Sequence, residues 1–387
     1  MMLNELLNFA NEAQAKYLNA VIEHGTQRAA AKALDCSQST ISESITRVKA
    51  KAARQGFSPD HDMTKIVPDG FTVSGVSTNY NGDGEVVQQW IKTTQDRQKM
   101  AELMDQSVAA MKDELPIYPP STPVTGTLED LANLHVVTDY HFGMLAWGEE
   151  TGADWDLDLA EKLLVDWMSA SIKTSPNAHT GILANIGDFL HFDGMLPVTP
   201  THAHVLDADS RFQKVVRVAI RALRTCVDQM LKKYEHVHLI MATGNHDIAS
   251  SIWLREVFSH VYQDDPRVSV DLNPDVYYAF EWGDNSIFFH HGHKRKMGNI
   301  SDVLVSKYRE LYGRTEYSYC HMGHLHHIDI KENNLMVVEQ HRTLAAPDAH
   351  ASSGGWMSKR STNTITYHKK FGEVARSIIS PQMLGAA

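Results

Sequence analysis

The sequence predicts an α/β protein preceded by a small all-helical module, and three features of its 387 residues carry that expectation. Within residues 4–55, apolar positions recur at helical spacing, with a cap or stop residue at each break. Beyond residue 127, short apolar runs alternate with amphipathic helical stretches, the pattern of strand–helix–strand units. Between them lies a stretch punctuated by Pro and Gly, with one hairpin signal and a Pro-rich end. These shifts divide the chain into 1–57, 58–126 and 127–387.

Taken in order, residues 4–24 read as one helix that Gly25 ends. Residues 27–34 form a shorter helix, Asp35-Cys36 a tight turn, and Ser37 caps a third helix that runs to about Gln55 and stops at Gly56. Two strands, 71–76 and 86–91, are joined through Asn81-Gly-Asp-Gly84, a strong hairpin signal. Trp90 between them reads as a core aromatic. Residues 94–114 look helical, and 117–126 form an extended Pro-rich linker taken as the main boundary. Strands at 134–138, 181–186 and 236–242 follow, with helices at 159–172 and 211–234 between them. Further strands at 277–282, 286–290, 328–331 and 335–339 have hairpin spacing. Residues 341–356, with Ser352-Ser-Gly-Gly355, read as a mobile loop to which no chemistry is assigned.

Composition narrows the class. Hydrophobic residues make up 43% and charged residues 21%, which is globular rather than disordered. Cys36, Cys226 and Cys320 lie far apart without a C-x-x-C spacing, as expected for reduced thiols in a cytoplasmic protein. Glu5, Asn8, Asn11, Glu12 and Lys16 interrupt the apolar positions at the N-terminus, so it reads as an amphipathic helix and not a signal peptide. No run approaches the ~18 apolar residues of a membrane span, and no membrane partner is expected. The net charge of −11 argues against a general nucleic-acid coat. It is unevenly spread: residues 1–57 carry +2 and the remainder −13. Carboxylates gather where divalent cations bind, and the 22 histidines concentrate after residue 180.

Five polar signatures then occur in order at strand ends: Asp139-Tyr-His141, Gly187-Asp188, Gly244-Asn245-His246-Asp247, His291-Gly-His293 and Gly323-His324-Leu-His326. Successive intervals of 49, 57, 46 and 33 residues each suit one strand–helix–strand excursion, which delivers every signature to one rim. Mixed Asp, His and Asn donors suit Mn²⁺, Fe²⁺ or Zn²⁺ better than Ca²⁺ or Mg²⁺. Two such ions ~3.5–4 Å apart share a carboxylate and activate water for in-line attack on phosphorus.

This ordered set resembles the calcineurin-like metallophosphoesterase family, whose pattern is D-x-H, GD, GNH[DE], H (often HGH) and GHxH, over about residues 130–330. The resemblance implies a two-sheet α/β/β/α sandwich holding two divalent ions. Mn²⁺ is expected first, with Fe²⁺, Zn²⁺, Ni²⁺ and Mg²⁺ as alternatives. It implies that Asp139, His141, Asp188 and His326 hold one ion, while Asp188 (as bridge), Asn245, His291 and His324 hold the other. His246 then stabilises the transition state or protonates the leaving oxygen, and Asp247 orients His246. His290, His291 and His293 compete for the fourth block; the family pattern favours His291, and strand alternation sends His290 and His291 to opposite faces.

Phosphoprotein phosphatases of the family show GDxxDRG, whereas this chain has Gly187-Asp-Phe-Leu-His191 and no Arg-Gly. That segment resembles the GD-[LF]-[LF]-H of the DNA-repair nuclease branch. His191, His202, His204, Asp207 and Arg211 are then candidate substrate contacts, with His293 beside them. Lys294-Arg-Lys296 reads first as a solvated charge run.

Residues 27–47 resemble a bacterial helix-turn-helix. Ile41, Ile45 and Val48 recur on one buried face. Ser37, Gln38, Ser39, Thr40 and Ser42 project from the start of the second helix toward base edges and phosphates, and Arg47 toward the backbone. DNA is therefore the expected partner, and a homodimer is the usual state of such readers. The resulting expectation is a metal-dependent DNA nuclease of phage or prophage type. A phosphatase or phosphodiesterase for nucleotides and other small phosphates is one alternative. A helix-turn-helix regulator with a non-catalytic phosphoesterase domain is the other.

Overall fold

The structure is a computed structural model that describes residues 2–58, 63, 71–81, 86–95, 118–200 and 204–385. The chain divides into two compact units, 1–108 and 109–387. The hairpin turn at 82–84, most of the helix expected over 94–114, and His202 lie outside the described residues.

In the first unit the helix expected over 4–24 is broken. A short turn ends at Phe9, and Asn11 starts a new helix, Glu12–His24, by a capping box with Gln14. Gly25 closes that helix at φ 74. Gln27–Ala33 is capped by Thr26, and Gln38–Arg54 by Ser37. Ile41, Ile45, Val48 and Ala52 are buried against Leu18, Val21, Ala30 and Ala31, so the helical spacing becomes one small core. Strands β1 (Phe71–Tyr80) and β2 (Val86–Gln95) pair antiparallel, and Thr94-Gln95 are strand rather than the start of a helix. Trp90, expected in a core, is half exposed on this two-stranded ribbon.

The second unit is a four-layer α/β/β/α sandwich. One sheet has the order β13–β12–β3–β4–β5–β6, built from β3 (Leu128–Val137), β4 (Ala178–Asn185), β5 (His236–Met241), β6 (Val268–Val270), β12 (Thr362–His368) and β13 (Gly372–Ile379). Strands β3 to β6 run parallel, and β12 is antiparallel to β3 and β13. The other sheet has the order β10–β11–β9–β8–β7, from β7 (Tyr278–Trp282), β8 (Asn285–His290), β9 (Tyr317–Met322), β10 (Asp329–Glu332) and β11 (Val337–Gln340).

Side-chain alternation builds the layers. Leu134 and Val136, Ile182 and Ala184, and Ile287 and Phe289 pack between the sheets. Their neighbours Val137, Leu183 and Leu239 face the helices Leu157–Thr174, Phe212–Leu231 and Ile248–Val261. On the far side, Phe288, Cys320 and Met322 meet the helix Ile300–Lys307. Strands β9, β12 and β13 and the helix Ile248–Val261 extend beyond the elements expected from sequence.

The Pro-rich stretch is fastened to this second unit. The Tyr118 N–H donates to the Val261 carbonyl, the Ser121 hydroxyl donates to Asp265 at 2.6 Å, and the Arg267 guanidinium donates to the Thr122 carbonyl at 2.6 Å. Arg267 also donates to the carbonyls of Leu231 and Tyr234, tying the segment to the end of a helix.

Candidate metal centre

Strands β3, β4 and β5 run parallel, as do β8 and β9, and each of the five signatures begins at or just past the end of one of them. Loop backbones interlock first. The Asp139 and His141 N–H groups donate to the carbonyls of Gly187 and Asp188, at 3.0 and 3.1 Å. Two glycines allow the loops to close in: a Cβ on Gly244 would lie 2.0 Å from Asp188 Oδ1, and one on Gly323 would lie 1.9 Å from Thr138 Oγ1. Of the seven described non-glycine residues with positive φ, five are Asp139, His141, Asp188, His324 and His326. Such backbone is sparsely populated and costs about 1–3 kcal/mol per residue, so surrounding bonds must hold it.

Those bonds are specific. Asp139 accepts from the Thr138 hydroxyl at 2.6 Å and from the His324 N–H at 2.8 Å, and its other oxygen lies 3.1 Å from His326 Nε2. The Thr343 hydroxyl donates to the Asp139 carbonyl. His291 donates from Nδ1 to the Ile186 carbonyl, which turns Nε2 toward Asp188 at 3.0 Å and Asn245 Oδ1 at 3.2 Å. A carbonyl behind an imidazole is the usual way to orient a metal ligand. His290 points the other way, to the Val276 carbonyl and the Tyr277 ring, so strand alternation separates the two adjacent histidines.

The ligating atoms of Asp139, His141 and His326 lie within 4.8 Å of one another, and so do those of Asp188, His291 and His324. Burial alone would raise both carboxyls. The imidazoles of His326 and His291 outweigh it at Asp139, and those of His291, His246 and His141 at Asp188, so both are held below the usual carboxylate range. Asp188 thus interacts with histidines of both groups, as a shared ligand must. Burial lowers His291, but Asp188 and Asp139 override it and push it up to about 10. The carboxylates call for positive charge among them, which a cation supplies when the imidazoles are neutral. The donor set fits two divalent cations.

The neighbouring residues divide by role. His246 lies beside the His141 ring, with centroids 4.8 Å apart; its N–H donates to Asp188 at 2.8 Å and its Nδ1 to the His191 carbonyl at 2.8 Å. Asp247, expected to orient His246, instead accepts the N–H groups of Asp188, Phe189 and Gly244 at 2.7–3.1 Å. Burial, with Asp188 and Asp193 adding to it, pushes its carboxyl up to about 8. Asp193, not singled out from sequence, holds the start of the helix Ile248–Val261 through the N–H groups of Ala249 and Ser250.

His191 is buried, with Nδ1 3.3 Å from His141 Nδ1, and burial lowers its pKa to about 3. His293 packs on His291 and His324. Arg211 and Lys294–Lys296 are exposed and stand outside the residues that line the cavity above the rim. Asp207 and Asp209 are stitched by backbone bonds to Leu145 and Gly143.

The cavity holds about 690 Å³ and has the rim residues His141, Asp188, Asn245, His246, His324 and His326 in its wall. The rest of the wall comes mostly from the 343–360 segment, including His350, Trp356 and Met357. A Trp-Met pair inside a Ser-Gly-rich loop was the available sequence signal for it.

In the first unit, Ser37, Gln38, Ser39, Thr40 and Arg47 are exposed and Ser42 is half-buried. The Ser37 hydroxyl is engaged with the hydroxyls of Ser39 and Thr40 and the Thr40 N–H, so it caps the helix. Arg47 lies 3.8 Å from Glu43.

No family model and no curated protein matches the sequence. Solved structures similar to it include a conserved uncharacterised protein of Streptococcus pneumoniae described as a phosphoesterase. That likeness has 9% identity, covers 66% of this chain and 99% of the other, and has a TM-score of 0.29. An archaeal phosphodiesterase follows at 12% identity, 64% and 99% coverage and a TM-score of 0.32. A dimetal phosphatase of Danio rerio stands at 10% identity, 65% and 98% coverage and a TM-score of 0.32. Superpositions this loose add no weight to a functional reading, which rests on the site itself.

Proposed function

We propose that the chain is a metal-dependent phosphodiesterase that cleaves DNA. One observation carries the reading: two acid–imidazole groups meet at Asp188 in the wall of a cavity large enough for a nucleotide-sized ligand. Asp139, His141, Asp188 and His326 would hold one cation, and Asp188, Asn245, His291 and His324 the other. When bound, such cations lower the pKa of water toward neutrality and neutralise phosphoryl charge. His246, fixed by the His191 carbonyl and Asp188, presents its remaining ring nitrogen to the leaving oxygen and protonates it. Asp247 keeps the Gly187–Phe189 and Gly244 turns in register. DNA as substrate is supported by the exposed Gln38, Ser39, Thr40 and Arg47 on a capped helix of the first unit.

Purified full-length protein with Mn²⁺ would be assayed on a phosphomonoester, a phosphodiester and linear DNA, with chelator, Asp188→Ala and His246→Ala as controls. Metal-dependent cleavage of diester and DNA, lost in both variants, is the expected result. The walled cavity favours a second reading, a phosphodiesterase for nucleotides, which cleavage of the small diester without DNA would select. Inertness with Mn²⁺, Fe²⁺, Zn²⁺, Ni²⁺ and Mg²⁺ alike would leave a DNA-binding regulator instead.

A further inference from the structure

Part of the wall of the cavity that contains the metal-ligating rim is apolar where it meets solvent. Trp356 is 62% exposed, Met357 91% and Leu325 57%, and all three line the same cavity. Leu325 stands between His324 and His326, so the apolar surface begins at the rim itself. Exposed apolar side chains gathered along one cavity mark a ligand surface.

The segment is built rather than loose. Asp348 caps the short helix Ala349–Ser353 through the Ala351 N–H at 2.7 Å, and the Ser352 hydroxyl donates to the Glu150 carbonyl at 2.8 Å. Arg360 closes its base by donating to the Leu344 carbonyl at 2.8 Å. The Trp356 N–H donates to the Ala351 carbonyl at 3.0 Å, and His350 meets the indole edge-on at 5.1 Å. Gly354 lies under the indole, where a Cβ would come within 2.9 Å of the ring. The ring is therefore supported on its protein side while most of its surface stays open. Lys359 and Arg360 bring positive charge to the same wall.

We propose that Trp356, which shares the cavity wall with Met357 and Leu325, is a stacking platform for a nucleobase joined through its sugar to the phosphorus at the rim. This inference rests on the phosphodiesterase reading and narrows it to nucleoside esters. An indole face accepts any base, because every base has a π-face. The preference it creates is for a base beside the scissile phosphate and not for a particular sequence.

The test compares two esters with the same p-nitrophenolate leaving group, methyl p-nitrophenyl phosphate and thymidine 5′-p-nitrophenyl phosphate, on the full-length protein with Mn²⁺. The ratio of kcat/KM for the thymidine ester to that for the methyl ester is expected to fall about 5- to 150-fold in Trp356→Ala, the range of one lost stacking contact. Trp356→Phe restores most of it. Labelled thymidine dinucleotide and a longer oligothymidylate, titrated by anisotropy in chelator, give a readout without turnover. Both weaken in Trp356→Ala if a single nucleotide fills the platform; if only the longer chain binds measurably and weakens, the source is single-stranded DNA. A ratio unmoved by Trp356→Ala overturns the platform and leaves the phosphodiesterase standing. A wild-type chain inert toward every ester sinks the phosphodiesterase reading and the platform with it.

Discussion

Among the described residues, the sandwich holds acid and imidazole in two places, and in both the ligating atoms of each group lie within 4.8 Å of one another. At the rim are Asp139, His141 and His326 beside Asp188, His291 and His324; away from it are His321, Glu339 and His341, all buried. The second cluster is closed by hydrogen bonds within the protein. His321 bonds His341 at 2.9 Å and the Tyr367 hydroxyl at 2.8 Å, Asn363 donates to Glu339 at 3.0 Å, and Arg376 grips Glu339 through both oxygens. None of its members carries a positive φ, and none lines the cavity. The rim has five such strained residues, and its carboxylates meet imidazoles instead of a guanidinium. Acid and histidine in proximity therefore do not define a metal centre; strain, access and a missing internal cation do. A buried pair that already has its Arg gains little from an ion.

Substitutions break the comparison where it is strongest. Asp188→Ala removes the ligand common to both groups and should bring diester hydrolysis down to the chelator control. His246→Ala should lower kcat by about 10²–10⁴, the range for a positioned acid, while metal content by elemental analysis stays at the wild-type level. Asp247→Asn puts an amide N–H against the backbone N–H groups that the carboxylate accepted. A loss of about 10- to 100-fold in activity is expected, with about 1–3 kcal/mol of stability in urea melts.

At the closed cluster the readout is inverted. Glu339→Ala removes the buried carboxylate that Asn363 and Arg376 bond, leaves Arg376 with Glu373 alone and should cost about 1–3 kcal/mol, while activity per folded molecule is retained. Glu339 also sharpens the contrast with pH. Burial would raise its carboxyl, but His341 and Arg376 hold it at about 2, below its ordinary 4.5. Its contribution is therefore present above about pH 4.5 and lost as pH falls through 2, so the stability gap between wild type and Glu339→Gln should close over that window. The smallest effect is expected in the first unit, where Arg47→Ala should reduce the salt slope of DNA binding by about one.

Much of the rim was legible because each signature ties chemistry to a strand end, and strand ends of one sheet face share a location. The family pattern favoured His291, alternation required that only one of the adjacent histidines face the rim, and Tyr277 and Val276 occupy His290 on the other face. Asp247 was misread because its partners include backbone N–H groups from a loop 58 residues away, which leave no mark in sequence. The first helix was drawn too long because the capping box at Asn11 and Gln14 sits inside an otherwise continuous helical pattern. Residues 341–356, which make up most of the 343–360 wall, were read as a mobile loop from their Pro, Ser and Gly content. The order of that wall comes from Asp348, Ser352 and Arg360 bonding to distant or local carbonyls and N–H groups. Strand β12 escaped notice because most of its buried positions are Thr or Asn, and β13 because it buries only Gly372 and Ile379, so no apolar alternation shows.

The most direct test of the rim as a two-cation centre is the stoichiometry of Mn²⁺ bound by the full-length protein, titrated calorimetrically beside Asp188→Ala and His341→Ala. Two equivalents in wild type and in His341→Ala, with loss in Asp188→Ala, is the expected result. Uptake that survives Asp188→Ala but fails in His341→Ala would place the metal in the closed cluster and contradict the account.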